Sequence, residues 1–462
     1  MNWPLVINSL LVSSLTTLCA LALGLAAALC AMTLHNRLRA LLAIAAVIAL
    51  VLPPFLVTNC WIELLGEHGA WRRLTSWNIY GLDGAVWIQT LLSWPISFFF
   101  ISAAWRRLQN IHLEADPLLR GRALLRWVLL PLARPAIFQS SILTFVLALN
   151  NFAVPAILQV KVFPAEIWVR FNTTFDYASA IQLSWPLILA PFLLVMALRR
   201  RDTAWNWRAD LPTTLAFRRQ TGTTTRAFAA ALTLFVATMS VGVPLWQLIA
   251  SPLTWQQFWP ALAAGQFAIL HSLEFASASA TLVIILSLLA WRLPLEPLLW
   301  IAFFMPGVLL GIALIWIFNR PGLRPIYQSI AIVLLAYLAR YAALGWSVVA
   351  RSARAADPSL LEAIRLEGAT PWQTFRHALW PQIHPAIAAA WYVTYLLCLW
   401  DVETLVLIVP PGGESLSLRV FNLLHYGHNP QVNALCLLLT ILALLPLLLY
   451  QVALKFAKQT NI

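Results

Sequence analysis

The chain has 462 residues, 61% of them hydrophobic and only 10% charged, with a formal net charge of +13. Soluble domains carry roughly 25% charged residues, so a soluble globular enzyme is excluded, and no polar stretch is long enough for a separate catalytic domain. In so apolar a chain the positive excess points to loop charges at a membrane surface rather than to nucleic acid.

Apolar runs of about 20 residues, the length a helix needs to cross a bilayer's hydrocarbon core, recur from end to end. They predict helices at Asn8–Met32, Leu38–Cys60, Gly84–Trp105, Ala136–Leu158, Tyr177–Leu198, Ala227–Ile249, Phe267–Leu289, Leu295–Phe318, Ile326–Val349, Ala386–Val409 and Val432–Ala453. The expected fold is an all-α polytopic membrane protein with about eleven transmembrane helices. The first run is longer than a signal-peptide core and has no positive charge before it, so it reads as a retained helix. Pro95, Pro186, Pro191, Pro306 and Pro446 fall inside spans, where they are tolerated and kink the helix. Cys19, Cys30, Cys60, Cys398 and Cys436 lie in apolar runs without CxxC spacing or a histidine cluster. They read as small buried hydrophobes, with no metal site or disulfide expected. Trp105, Trp246, Trp291 and Trp380 lie near predicted helix ends, where tryptophan anchors at the headgroups.

Eleven crossings put the termini on opposite sides. With the N-terminus outside, only Arg72, Arg73, Lys161, Arg170, Arg320, Arg324 and Arg419 face outward, and the remaining 23 of the 30 Lys and Arg fall inside. The positive-inside rule therefore predicts a periplasmic N-terminus and a cytoplasmic C-terminus.

The chain repeats itself. Asn8 to Ala31 matches His271 to Trp291 in start and pattern, and each is followed by a basic turn and another span. Leu130-Pro131 and Arg134-Pro135-Ala136-Ile137 answer Trp380-Pro381 and His384-Pro385-Ala386-Ile387 at an offset of 250 residues. This divides the chain into residues 1–198 with five spans, a cytoplasmic linker at 199–226, and residues 227–462 with six. The halves share orientation, as in a parallel repeat about an axis along the membrane normal. The second has an extra leading helix, Ala227–Ile249.

The inner loop of the second half, Arg351 to Pro385, carries dense turn chemistry. Asp357-Pro358 is an N-cap followed by proline at the first helical position. The helix so begun should stop at Gly368, where a glycine past the C-terminus adopts a left-handed conformation without strain. Leu360, Leu361 and Ile364 form its apolar face. Thr370 and Gln373 fit a capping box for a second short helix, with Trp372, Phe375 and Leu379 as its apolar stripe and Pro381 as its end. Two short helices about a glycine form either an interfacial hairpin or a docking knob for a cytoplasmic partner.

This loop resembles the signature loop of the binding-protein-dependent ABC transporter permeases. Glu362-Ala363-Ile364, Gly368, Ala378, Trp380 and Pro381 fall at the spacing of that family's motif, with Ile364, Ala378 and Trp380 departing in residue type. Ala336–Tyr341 before it is similar to the family as well. So are Glu403-Thr404-Leu405 through Pro410, Glu414-Ser415-Leu416 and Val420-Phe421 after it. Asn151–Leu158 resembles the fifth-helix region of the fused iron(III)/thiamine-type permeases. The first-half signature is eroded. Asp116-Pro117 answers Asp357-Pro358 and Pro131 answers Pro381, but nine residues are missing between them, and Gly121 does not match Gly368 in its spacing to the proline.

The resemblance implies the membrane pore of an ATP-driven importer with no cofactor of its own. Two copies of a cytoplasmic ATPase would bind below and a periplasmic solute-binding protein would deliver cargo above, iron(III) or thiamine by analogy. The chain has no phosphate-binding P-loop, so ATP chemistry would belong to another subunit. Asp357, Glu362, Ala363, Gly368 and Pro381, with Asp116 and Pro131, are the candidate coupling residues. The shortened first loop predicts weaker coupling from that half. Asn150, Asn151, Asp401 and Glu403 lie toward the outer ends of their spans, and Asn151 and Asp401 align across the repeat. They are candidates for the translocation path, since polar groups at membrane depth face a bundle interior, or else they are interfacial. Arg340 lies within a span and needs an acid the sequence does not identify. A secondary transporter would need ionisable relays near the midplane, for which only Arg340 qualifies. A membrane scaffold is the other alternative.

Overall fold

The computed structural model describes residues 3–67, 69–73, 77–106, 119–174, 214–425 and 431–459. Among them the regular structure is helical throughout, without a strand. Eight helices are long and apolar enough to cross a bilayer: Trp3–Thr33, Leu82–Trp105, Arg122–Asn150, Thr223–Ala250, Phe258–Ala290, Ile330–Arg354, Pro371–Trp400 and Val432–Tyr450. Two further pairs pass together, which gives ten spans if each pair is one. The chain is therefore an all-α polytopic membrane protein. The remaining predicted span, Tyr177–Leu198, lies outside the described residues.

The two pairs correct the sequence expectation. Leu38–Cys60 is not one rod: Asn36–Val51 and Pro54–Leu65 meet at 89°. Leu295–Phe318 is likewise Glu296–Phe304 and Gly307–Phe318, bent by 107°. The cause is local. A residue before proline is driven out of the helical region, and Leu52 (ψ 130°) and Met305 (ψ 134°) are both extended. Each following helix then starts beside a proline, with Pro54 at the first position of one and Pro306 capping the other. Pro95 and Pro446 stay inside continuous helices, as expected.

Two spans are also longer than their apolar runs. Ala136–Leu158 and Ala386–Val409 are displaced toward the N-terminus: the helices are Arg122–Asn150 and Pro371–Trp400, which break at the extended residues Asn151 and Asp401, short of the expected ends. Both begin in what the sequence assigns to the inner loop. Pro381 does not end a helix. A π turn at Phe375–Leu379 precedes it, and the helix continues through Trp380. The wider turn absorbs the hydrogen bond that proline cannot donate. Leu125–Leu129 is the same π turn before Pro131, 250 residues earlier. Leu130–Asn150 and Trp380–Trp400 then keep that offset at both ends. Beyond them, Asn151 Oδ1 accepts from Val154 N at 3.1 Å, and Asp401 Oδ1 accepts from Thr404 N at 2.9 Å. Ser9 Oγ accepts from Phe163 N, and Ser272 Oγ from Leu416 N. The repeat is thus written in backbone geometry as well as in sequence.

The packed units do not follow chain order. One gathers the helices from Trp3–Thr33 through Ala153–Ile157 with Thr223–Ala250 and the start of Val432–Gln459. The other gathers most of Phe258–Ala290, the helices from Glu296–Phe304 through Leu405–Ile408, most of Leu416–His425 and the rest of Val432–Gln459. Within the first unit, Thr223–Ala250 is tied in by Trp94 Nε1 donating to Ser240 Oγ at 3.2 Å and by Gln247 Nε2 donating to Glu63. The Glu63 carboxylate also accepts from Asn59 at 3.0 Å and Asn433 at 3.1 Å. Three amides thus solvate one carboxylate where lipid would leave it bare.

Two smaller expectations shift. Cys30, Cys60, Cys398 and Cys436 are buried, but Cys19 is exposed. Trp105 ends its helix, as expected, but is fully buried in protein, and its Nε1 donates to Leu129 O at 2.9 Å.

Candidate coupling loop and buried charge cluster

The second-half loop forms as its local signals predict. Asp357 caps Pro358–Leu366, accepting from Ser359 N at 3.0 Å and from the Ser359 hydroxyl at 2.7 Å. Asp357 N donates to Gln382 Oε1 at 3.0 Å, which fastens the helix start to the span that follows. At the other end Gly368 N donates to Arg365 O and Ala369 N to Ile364 O. That pair of bonds is the Schellman closure, which needs a left-handed residue, and Gly368 has φ +81°. Thr370 and Gln373 then complete a reciprocal capping box.

Pro358–Leu366 has no buried residue. Glu362, Ala363 and Gly368 are exposed, and so are apolar Leu360 (43%), Leu366 (89%) and Trp372 (65%). The expected stripe of Trp372, Phe375 and Leu379 is corrected, because the π turn rotates the register. Thr374 and Ala378 are the buried positions, while Leu379 packs on the cluster of Ile284, Val349, Ile383, Ile387 and Ala390. The loop therefore stands on a rigid apolar base and presents uncovered leucine and tryptophan. In the first half, Asp116 lies outside the described residues. Pro131 holds the place matching Pro381, and Gly121, with φ +57°, precedes the one-turn helix Arg122–Leu124 without the side-chain cap that Thr370 gives Pro371–Thr374.

The polar residues beyond the long spans separate by half. Asn150 is buried and Asn151 half-buried in the first. In the second, Asp401 and Glu403 converge on Arg340, the acids the sequence leaves unnamed. Arg340 Nη1 lies 3.2 Å from both Asp401 oxygens and Nη2 lies 2.7 Å from Glu403 Oε2. Thr404 Oγ1 accepts from Arg340 Nη1 at 2.5 Å and donates to Asp401 Oδ2 at 2.7 Å, and the Tyr341 hydroxyl donates to the same oxygen at 2.9 Å. Arg340 is 8% exposed and Asp401 5%. Gly307, first residue after the bend at Pro306, lies against this cluster. A Cβ there would fall on Arg340 Nη1 and within 2.6 Å of Thr404 Oγ1. The bent pair is thus closed over the ion pair, and only glycine fits at the closure. Sequence reasoning misses Gly307, which does not differ locally from an ordinary apolar-span residue, and reads Thr404 only as part of a family-like stretch, without its place on Arg340. Among the described residues no cluster of His, Cys, Asp or Glu has the composition of a metal site.

Comparison with known families places residues 285–458, which include this loop, the Arg340 helix and the acids, in the family of binding-protein-dependent transport system inner membrane components. The chain is 24% identical over 453 residues to the Fe(3+)-transport system permease protein FbpB 2 of Haemophilus influenzae, covering 90% of this chain and 83% of that one. It is 25% identical to the spermidine/putrescine transport system permease protein PotC of Escherichia coli, over 42% of this chain and 78% of that protein. The putrescine transport system permease protein PotI of Escherichia coli matches at 30% over 29% of this chain and 49% of its own length.

Proposed function

From the match of residues 285–458 to the binding-protein-dependent transport components and of most of the chain to an iron(III) permease, we propose that this chain works as a fused two-half pore of an ABC importer, driven by two copies of a cytoplasmic ATPase and fed by a periplasmic solute-binding protein. The observation that carries this proposal is the exposed, doubly capped loop at Asp357–Pro381, held on a packed base with Leu360, Leu366 and Trp372 uncovered. A passive connection does not need two caps and a left-handed glycine. A knob that must keep its shape under force does. Glu362, Ala363 and Gly368 are its contact and hinge positions, Asp357 and Pro381 set its ends, and Asp116 and Pro131 are their first-half counterparts. ATP hydrolysis then belongs to the partner, and this chain transmits its stroke. The repeat units are residues 1–198 and 227–462, joined by the linker at 199–226. The N-terminus is periplasmic and the C-terminus cytoplasmic, in a bacterial inner membrane.

Iron(III) is the proposed cargo. The support is that the iron(III) permease of Haemophilus influenzae matches across both halves, whereas the polyamine permeases match over less than half of this chain. Asn150 and Asn151 in one half, with Asp401 and Glu403 in the other, are proposed to border the path. The test is reconstitution in proteoliposomes with a cognate ATPase and solute-binding protein. ATP-dependent uptake of iron(III), abolished without the binding protein, is the expected result. ATP-independent uptake driven by an ion gradient would instead identify a secondary transporter.

A further inference from the structure

Glu63 lines a cleft of about 650 Å³ in the first packed unit, with Trp71, Gly242, Trp246 and Gln247 around it. Its hydrogen bonds to Gln247 and Asn433 set its depth, because these residues stand at the ends of two other spans, Thr223–Ala250 and Val432–Tyr450. The cleft is therefore at headgroup level, where tryptophan concentrates. Trp71 is held in place: its backbone N donates to Leu64 O at 2.8 Å, and its ring meets Trp61 edge-on at 6.0 Å. Trp246 is 74% exposed. The π turn Thr238–Gly242 forms part of the wall, and Gly242 adds no side chain to it. A Cβ there would make ordinary contact with Thr238 at 3.6 Å.

The three amides around Glu63 leave room for one more partner. Oε1 accepts from Asn59 and Asn433, and Oε2 accepts from Gln247, which uses three of the roughly four acceptor sites of a carboxylate. All three donors are neutral, so none of them cancels the carboxylate's charge. An indole face attracts a cation, and two indoles line the cleft with this carboxylate. That combination selects an ammonium group. Leu64 and Val243 make the wall beside it apolar, and Ile249, on the same helix as Trp246, is 58% exposed. A small soluble amine leaves this apolar surface uncovered, whereas acyl chains attached to an ammonium-bearing head cover it. We propose that the cleft binds the head of a phospholipid carrying a primary ammonium, such as phosphatidylethanolamine, with the ammonium on Glu63 and the chains along Thr223–Ala250. The lipid so held bridges Pro54–Leu65 and Thr223–Ala250, which the contact of Gln247 with Glu63 also joins. The site is independent of how transport is driven.

The experiment titrates the intact purified chain, stripped of bound lipid, with phosphatidylethanolamine or with phosphatidylglycerol of the same acyl chains, and counts bound lipid by native mass spectrometry. The expected result is tighter binding of the first phosphatidylethanolamine than of the first phosphatidylglycerol. Glu63→Gln should erase that preference by weakening phosphatidylethanolamine roughly tenfold, as loss of a hydrogen bond between charged groups does. Gly242→Leu should do the same by filling the cleft. It keeps Glu63 and its amides, so it tests the site even if Glu63→Gln fails to fold. Equal affinity of the unaltered chain for the two lipids would overturn the proposal, and so would a preference that survives in either folded variant. Free ethanolamine competing as well as the lipid would also overturn it, by identifying a soluble amine as the ligand.

Discussion

Arg340 shows what one residue can decide. A guanidinium at membrane depth is costly alone, and here it is held by two carboxylates, a threonine and a cation–π contact with Tyr341 at 5.7 Å. Removing one partner from a buried pair typically costs about 3–5 kcal/mol, because the remaining charge is left uncompensated. Arg340→Gln should therefore lower the thermal unfolding midpoint of the purified protein markedly. Arg340→Gln combined with Asp401→Asn should lower it less than the sum of the two single changes, since residues in one network couple. Additive midpoint shifts would show that the pair carries no such coupling. Gly307→Ala should resemble Arg340→Gln, since its methyl meets the guanidinium. The sequence exposes Arg340 as an anomaly but not its partners, which lie 61 and 63 residues away. Pairing over such distances is a property of packing and leaves no local pattern.

The proposed coupling loop is the opposite case at the scale of elements. Its caps, its glycine and its two helix starts are all legible, because N-caps, capping boxes and Schellman closures span only a few residues. Gly368 makes the claim testable. A non-glycine residue in the left-handed region costs roughly 1–2 kcal/mol, although a Cβ there would touch nothing within 4 Å. The cost is therefore conformational rather than steric. Gly368→Val should reduce substrate-stimulated ATPase activity and transport by roughly 5–30-fold, the range that 1–2 kcal/mol gives, at unchanged amounts of folded complex. Gly368→Asn should do less harm, because asparagine visits this conformation more readily. Equal damage from both would mean that the side chain, not the backbone angle, matters. What the sequence conceals at this scale is where proline acts. Pro381 looks like a helix end, but a preceding π turn lets the helix run on, as the matching turn does before Pro131. Pro306, read as a kink within one span, breaks it by 107°, and Pro53-Pro54, not singled out in the sequence, break another by 89°. Both outcomes depend on what packs around the freed backbone groups, which local sequence does not specify.

Across the whole molecule, the helical class and most spans follow from apolar run length, while the grouping of helices does not. Thr223–Ala250 follows the linker in sequence yet packs with the first-half helices, held by polar contacts such as the buried one from Trp94 to Ser240 and the part-buried one from Gln247 to Glu63. A hydropathy profile registers that a segment is apolar, not which neighbour shares its hydrogen bonds. Orientation is a separate claim and has its own test. Reporter fusions after Ile462 and within the stretch from Asp202 to Arg219 should both report cytoplasm, as the bias of 23 inner among 30 basic residues predicts. A periplasmic signal from either would reverse the assignment and place the coupling loop on the wrong face.

The central claim is that one chain supplies both halves of the pore, each half meeting its own ATPase. Native mass spectrometry of the complex purified with its ATPase tests this most directly. One copy of the 51.6 kDa chain with two ATPase copies is the predicted composition. Two copies of this chain per ATPase pair would contradict it.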